Sequence, residues 1–209
     1  MAITAQMVKD LREMTGAGPL DCKKALEQHE GDVQKAMQYL REKGLARAAK
    51  KLSAGRAMNE GVIEVYQHFN RRIAVMIEVN CETDFVANTE RFRTFARDLA
   101  LHVANLAPEY VKREDVPEAV SAAERQLQLR RAMDEGKPQN VAEKIVEGRM
   151  NKFYEELVLM EQPFLKDDTK TISQLLSEVV ADLGESIEIR RFTRYALGDD
   201  AENGNEAGE

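Results

Sequence analysis

Apolar residues change their spacing along this chain, and each change marks a predicted element. Met7, Val8, Leu11 and Met14 share one helical face. Thr4 precedes that run as an N-cap, with Ile3 and Val8 spaced as a hydrophobic staple. Thr15-Gly16-Ala17-Gly18-Pro19 breaks the period. A shorter helix from Asp21 to Gln28 follows, with Ala25 and Leu26 facing inward, and Lys23 and Lys24 near its start, where the helix dipole disfavours cations. Gly31-Asp32 caps a third helix, in which Val33, Met37 and Leu40 share a face and Lys43-Gly44 supplies a basic last turn and a closing glycine. Residues 45–56, rich in Ala, Lys and Arg, read as a helical linker.

The period then shortens to two. Gly61 to Phe69 reads as a strand, Asn70-Arg71 as a tight turn, and Arg72 to Asn80 as a second strand in which Ile73, Val75, Ile77 and Val79 alternate. After Thr83-Asp84-Phe85 the helical period returns in Phe92, Phe95, Ala96, Leu99, Val103 and Leu106, up to Pro108. Residues 109–136 are acidic and partly helical, and 138–158 form another helix. A Glu161-Gln162-Pro163-Phe164 loop leads to a helix from Thr171 to Leu183, ended by Gly184. Ser186 to Leu197 returns as a strand, with a bulge or twist near Arg190-Arg191. The expected fold is α+β: an N-terminal three-helix module, then a three-stranded antiparallel sheet with helices on one face. The boundaries are 1–55 for the helical module and linker, 56–198 for the core, and 199–209 for an acidic disordered tail. One uncovered sheet face makes self-association an expectation.

Composition narrows the function. With 209 residues, 43% hydrophobic and 32% charged, the chain can build real cores. Its start lacks signal-peptide regions and no apolar run is long enough for a membrane span, so the cytoplasm is expected. Cys22 and Cys81 form no CxxC pair, and His29, His68 and His102 are scattered, so neither a disulfide framework nor a metal site is expected. The net charge of −7 is uneven: the tail holds five acids and no base, whereas residues 1–56 hold eleven Lys/Arg against seven Asp/Glu. That mildly basic head suits an acidic protein surface or weak phosphate contact. It lacks the dense basic stripe with aromatics that nucleic acid demands.

Candidate chemistry is sparse. Glu82, Asp84 and His102 suggest an acid–base cluster, but His102 lies about five helical turns beyond Asp84. No phosphate loop, nucleophile elbow or HExxH occurs, so an enzyme is not expected. Two readings of Asp84-Phe85 stand level: Asp84 caps the coming helix while Phe85 packs beneath it, or Phe85 is an exposed anchor with Asp84 as a charge for a partner. The apolar 15–20 loop likewise reads either as a Gly-rich turn or as a recognition loop similar to that of ubiquitin-associated (UBA) domains.

Two long segments carry a resemblance. Leu11 to Leu26, with Thr15-Gly16-Ala17-Gly18-Pro19-Leu20-Asp21-Cys22-Lys23-Lys24, resembles the N-terminal signature of the translation elongation factor Ts family. Glu78 to Asn88, with its Thr83-Asp84-Phe85-Val86-Ala87 core, resembles that family's second signature. Asp134 to Pro138 and Glu161 to Phe164 also look like family features, and the likeness runs to Leu197. Pro19 and Leu20 stand where the family often carries methionine. The resemblance implies a UBA-like head and a guanine-nucleotide exchange factor acting on elongation factor Tu, GDP-bound or nucleotide-free. It implies that Thr83, Asp84, Phe85 and Val86 form a wedge near that partner's Mg2+ site, while Val8, Lys9, Arg12, Pro19 and Leu20 grip another face. The single sheet-forming core resembles the short family form, which implies a homodimer in a 2:2 complex. No cofactor, nucleic acid or membrane enters this picture. The rivals are a ubiquitin-binding adaptor using the 15–20 loop and a metal-free hydrolase using Glu82 or Asp84.

Overall fold

The computed structural model describes residues 3–52 and 57–199; the tail from 200 onward and the end of the 45–56 segment lie outside the described residues. The head contains α1 (Ala5–Thr15), α2 (Pro19–Gln28) and the start of α3 (Val33–Leu52). Thr4 caps α1 by accepting the Met7 N–H, and Asp32 caps α3 by accepting the Lys35 N–H at 3.0 Å. Leu11, Cys22, Ala25, Leu26, Ala36 and Leu40 form a small core, with Ile3 and Val8 packed at its edge as a staple requires. Met14 departs from expectation: it is exposed, because the helical face that reaches this core ends at Leu11. The second helix also begins earlier, at Pro19, whose fixed φ suits a first helical position. Asp21 therefore occupies the first turn, and Lys23 and Lys24 lie past it.

Lys43-Gly44 does not end α3. The helix runs on to Leu52 and leaves the head to pack on α8 (Ile172–Leu183). A Cβ built on Gly44 would meet the Ala181 Cβ at 3.4 Å, so the glycine marks a close helix crossing and not a stop. Ala48 beyond it joins the main core. Arg41 reaches Glu178 at 2.8 Å, and Lys170 bridges Glu178 at 2.8 Å and Asp167 at 3.2 Å, which ties head to core.

The core sheet has the order β1 (Glu60–Gln67), β2 (Ile73–Cys81), β5 (Ile187–Ala196), antiparallel throughout. Val75, Ile77, Val79 and Cys81 point inward from β2 and are buried beneath α5 (Glu90–Leu106) and α8. Gly61 (φ +149°) lies so close to β2 that a Cβ would sit 2.2 Å from the Val79 carbonyl oxygen; no side chain fits there. In the β2–β5 pairing Glu78 faces Arg191 and Val79 faces Ile189, so Arg190 is the bulged residue, as Arg190-Arg191 suggested. The other sheet face carries Ile63, Val65, Met76 and Tyr195, all exposed.

Between α5 and α8 the expected helices, partial over 109–136 and complete over 138–158, are joined by shorter elements that periodicity did not reveal. A 3-10 turn at Arg113–Asp115 precedes α6 (Glu118–Asp134), which pairs with α7 (Gln139–Leu157) as a helical hairpin, burying Ala132, Ala142, Val146 and Met150. The expected 161–164 loop is instead a 3-10 turn at Leu159–Glu161 followed by β3 (Pro163–Phe164), which pairs with β4 (Asp167–Thr171). Thr171 then starts α8 with a capping box to Gln174.

His102 on α5 is fully buried and locks this region. Its Nδ1 accepts the Leu165 N–H at 3.2 Å, which leaves Nε2 to donate to Gln162 Oε1 at 2.9 Å. Gln162 Nε2 in turn donates to the Glu156 carbonyl at 2.7 Å. Burial lowers the imidazole pKa from its ordinary 6.5, and the Gln162 bond opposes this only in part. The folded ring thus stays neutral where the unfolded ring binds a proton. This stabilisation is complete above the unfolded pKa and declines as the pH falls from 6.5 toward the folded value. Urea melts should give a lower midpoint at pH 5.5 than at pH 7.5. His102→Gln should flatten that slope, and an unchanged slope would show that another group sets it.

Candidate functional site

The site grows from the end of β2. Cys81, the last residue of the ladder, is buried opposite Ile187. Burial pushes its thiol up to about 11, and its Sγ–H donates to the Thr83 carbonyl at 3.1 Å. It is a packed thiol and no nucleophile at neutral pH. Thr83 follows in extended conformation and caps the single-turn helix α4 (Asp84–Ala87) by accepting the Val86 N–H. Thr83 therefore performs the capping that one reading gave to Asp84. Asp84 occupies the first turn of α4 and is exposed, its carboxylate favourably placed at a helix start.

This geometry separates the residues of the Thr83–Ala87 motif. Val86 and Ala87 point into the core and root the turn, while Phe85 points out with 82% of its surface exposed. The turn is closed on its far side as well. Asn88 Nδ2 donates to the Asp84 carbonyl at 2.9 Å, and Thr89 Oγ1 donates to the Val86 carbonyl at 2.8 Å. Thr89 then caps α5 by accepting the Phe92 N–H at 3.2 Å. A large aromatic is thus left mostly exposed on a turn fixed at both ends.

Two residues that sequence reasoning missed complete the surroundings. Glu185, between α8 and β5, accepts the Thr83 N–H at 3.0 Å and the Thr83 Oγ1–H at 2.7 Å. Ser186 donates its N–H to Glu82 at 2.8 Å. The signal available was the strand pairing: once Cys81 stands opposite Ile187, residues 82–84 must lie beside 184–186.

The head offers a second surface. Lys9, Arg12, Pro19 and Leu20 are exposed, and Val8 is half-buried against the head core. The loop before Pro19 is stitched in place: Thr15 Oγ1 donates to the Leu11 carbonyl at 2.6 Å and accepts the Ala17 N–H at 3.3 Å, and Cys22 Sγ–H donates to the Ala17 carbonyl at 3.5 Å. Leu20 is thus presented by a fixed edge, with 74% of its surface exposed.

Other chemistry does not assemble here. Both nitrogens of His102 are engaged by Gln162 and Leu165, away from any acid–base pairing with Glu82 or Asp84. Among the described residues no group of three or more His, Cys, Asp or Glu could hold a metal ion. Among the same residues no helix is long and apolar enough to cross a membrane.

Comparison with known proteins agrees with the two signatures. The family model described as "Elongation factor TS" matches residues 2–199. Elongation factor Ts of Carboxydothermus hydrogenoformans is 56% identical over 197 residues, covering 94% of this chain and 90% of the relative. The protein of that name from Thermoanaerobacter sp. is 54% identical over 200 residues, covering 96% and 97%. The one from Maridesulfovibrio salexigens is 53% identical over 207 residues, covering 99% and 100%.

Proposed function

The chain belongs to the elongation factor Ts family, the guanine-nucleotide exchange factors for elongation factor Tu, and on that premise we propose how its parts promote GDP release. Asp84 and Phe85 enter the GTPase domain of elongation factor Tu beside its Mg2+/phosphate site. Phe85 wedges between side chains there and displaces the elements that hold metal and phosphates. One observation carries this reading: Phe85 is 82% exposed beside an exposed acid, on a turn fixed at both ends. Thr83 and Val86 belong to the same contact as its frame, one capping α4 and the other rooting it.

The head supplies a second grip through Val8, Lys9, Arg12, Pro19 and Leu20, on another face of the same domain. The division of labour follows from energetics. Binding energy gained at the head holds the pair together, and that gained by Phe85 is realised only where the nucleotide site is distorted. Linkage then fixes the consequence: if this chain weakens GDP binding by some factor, GDP weakens binding of this chain by the same factor. A hundredfold effect requires about 2.7 kcal/mol of coupling, within reach of one aromatic anchor and a few charges. No covalent step, cofactor or metal of its own is needed, so the chain is an exchange factor without enzymatic chemistry. The open sheet face pairs two copies into a homodimer and a 2:2 complex, in the cytoplasm, with neither nucleic acid nor membrane as a partner.

Reciprocity gives the test. The immobilised chain should retain nucleotide-free elongation factor Tu and release it when GDP is added. Retention that does not respond to GDP would exclude exchange by this route and return weight to a simple adaptor.

A further inference from the structure

The turn that carries Phe85 is braced by residues far away in sequence. Glu185 lies in the connection between α8 and β5, 102 positions from Thr83. Both of its carboxylate oxygens serve one residue: Oε2 accepts the Thr83 N–H at 3.0 Å and Oε1 accepts the Thr83 Oγ1–H at 2.7 Å. Because the hydroxyl proton is committed to Glu185, the Thr83 oxygen presents its lone pairs to the Val86 N–H and caps α4. In the opposite direction Glu82 Oε1 accepts the Ser186 N–H at 2.8 Å. The β2–β5 ladder has ended at Cys81 and Ile187 by this point, and these carboxylates continue the cross-link after the strands diverge. Each of these bonds has an ionised acceptor and is stronger than a neutral one.

We infer that Glu185 is a positioning residue for nucleotide exchange, acting through Thr83 to hold α4 so that Phe85 meets its partner as a stiff projection. The inference rests on the wedge reading above. A wedge transmits binding energy only as far as its base resists. If the 82–84 turn yields, that energy bends the turn instead of opening the nucleotide site. Thr83 has backbone and side chain held at once by one carboxylate, so yielding requires breaking two charge-assisted bonds together. The core side is held by burial of Val86 and Ala87. Glu185 thus supplies the restraint on the side where the turn faces β5.

The experiment is stopped-flow release of a fluorescent GDP analogue from elongation factor Tu, with this chain varied in concentration. Maximal rate and half-saturating concentration are compared for the wild type, E185A, E185Q, F85A and the double variant F85A/E185A. E185A should lower the maximal rate about tenfold, with a half-saturating concentration within about twofold of the wild type, because the head contact is untouched. E185Q, which keeps one acceptor, should fall between. The double variant should match F85A alone, since both residues act through the same side chain. A wild-type maximal rate for E185A, or an E185A loss as large on the F85A background as alone, overturns the inference and leaves the wedge reading standing. A wild-type rate for F85A overturns the wedge reading itself. Should E185A melt below the assay temperature, E185Q decides, and a normal maximal rate there overturns the inference.

Discussion

Phe85→Ala is expected to lower the maximal rate of GDP release from elongation factor Tu by roughly thirtyfold or more. That is the effect of truncating an aromatic anchor worth about 2 kcal/mol. The stability of the free chain should hardly move. Phe85 is 82% exposed and contributes nothing to the core beneath α4, and surface changes of this kind stay within about 0.5 kcal/mol. The kinetic parameter matters as much as the size. If Phe85 bound the partner equally well before and after distortion, its loss would raise the half-saturating concentration and spare the maximal rate. The proposed wedge is strained against the closed nucleotide site and fully engaged only in the open one, so the loss falls on the maximal rate. Stopped-flow release with a labelled nucleotide separates the two. A maximal rate equal to the wild type would remove Phe85 from the mechanism.

How much of this was legible along the chain depended on whether a residue's neighbours were local. The alternation in β2 and the period of Phe92, Phe95, Ala96, Leu99 and Val103 gave the core directly, because each apolar position there faces one continuous layer. Arg190-Arg191 betrayed the bulge for a similar reason: two successive outward residues break a strict alternation. Gly44 misled because a glycine after a basic last turn usually ends a helix. Here its reason is Ala181, more than a hundred positions away. The Asp167–Thr171 strand was hidden by its polarity, since it pairs only with β3 at the edge of the fold. At the site, both readings of Asp84-Phe85 hinged on who caps α4. Thr83 takes that position, which frees Asp84 and turns Phe85 outward. No local pattern could nominate Glu185, because its partner is brought to it only by the pairing of β2 with β5.

Met76→Glu is expected to convert the proposed dimer into single chains, weakening self-association by at least about a hundredfold, or about 2.7 kcal/mol. Ile63, Val65, Met76 and Tyr195 are each more than half exposed on one side of the sheet, while the helices cover the other. Met76 lies on the central strand, with Val65 and Thr193 as its registered neighbours on either side. In a two-fold interface the same patch meets itself, so each substitution is counted twice. The introduced carboxylates of both copies would then be stripped of water close together, with no cation supplied by the apolar centre. The nearest one in register, Arg191, is already engaged by Glu78 at 2.7 Å. The fold should survive, because the Met76 side chain points away from the core that Val75 and Ile77 fill. Sedimentation velocity at micromolar concentration distinguishes the outcomes. A Met76→Glu chain that still sediments as a dimer would move the interface to another surface. A monomeric wild type would remove the proposed homodimer, and with it the proposed 2:2 complex.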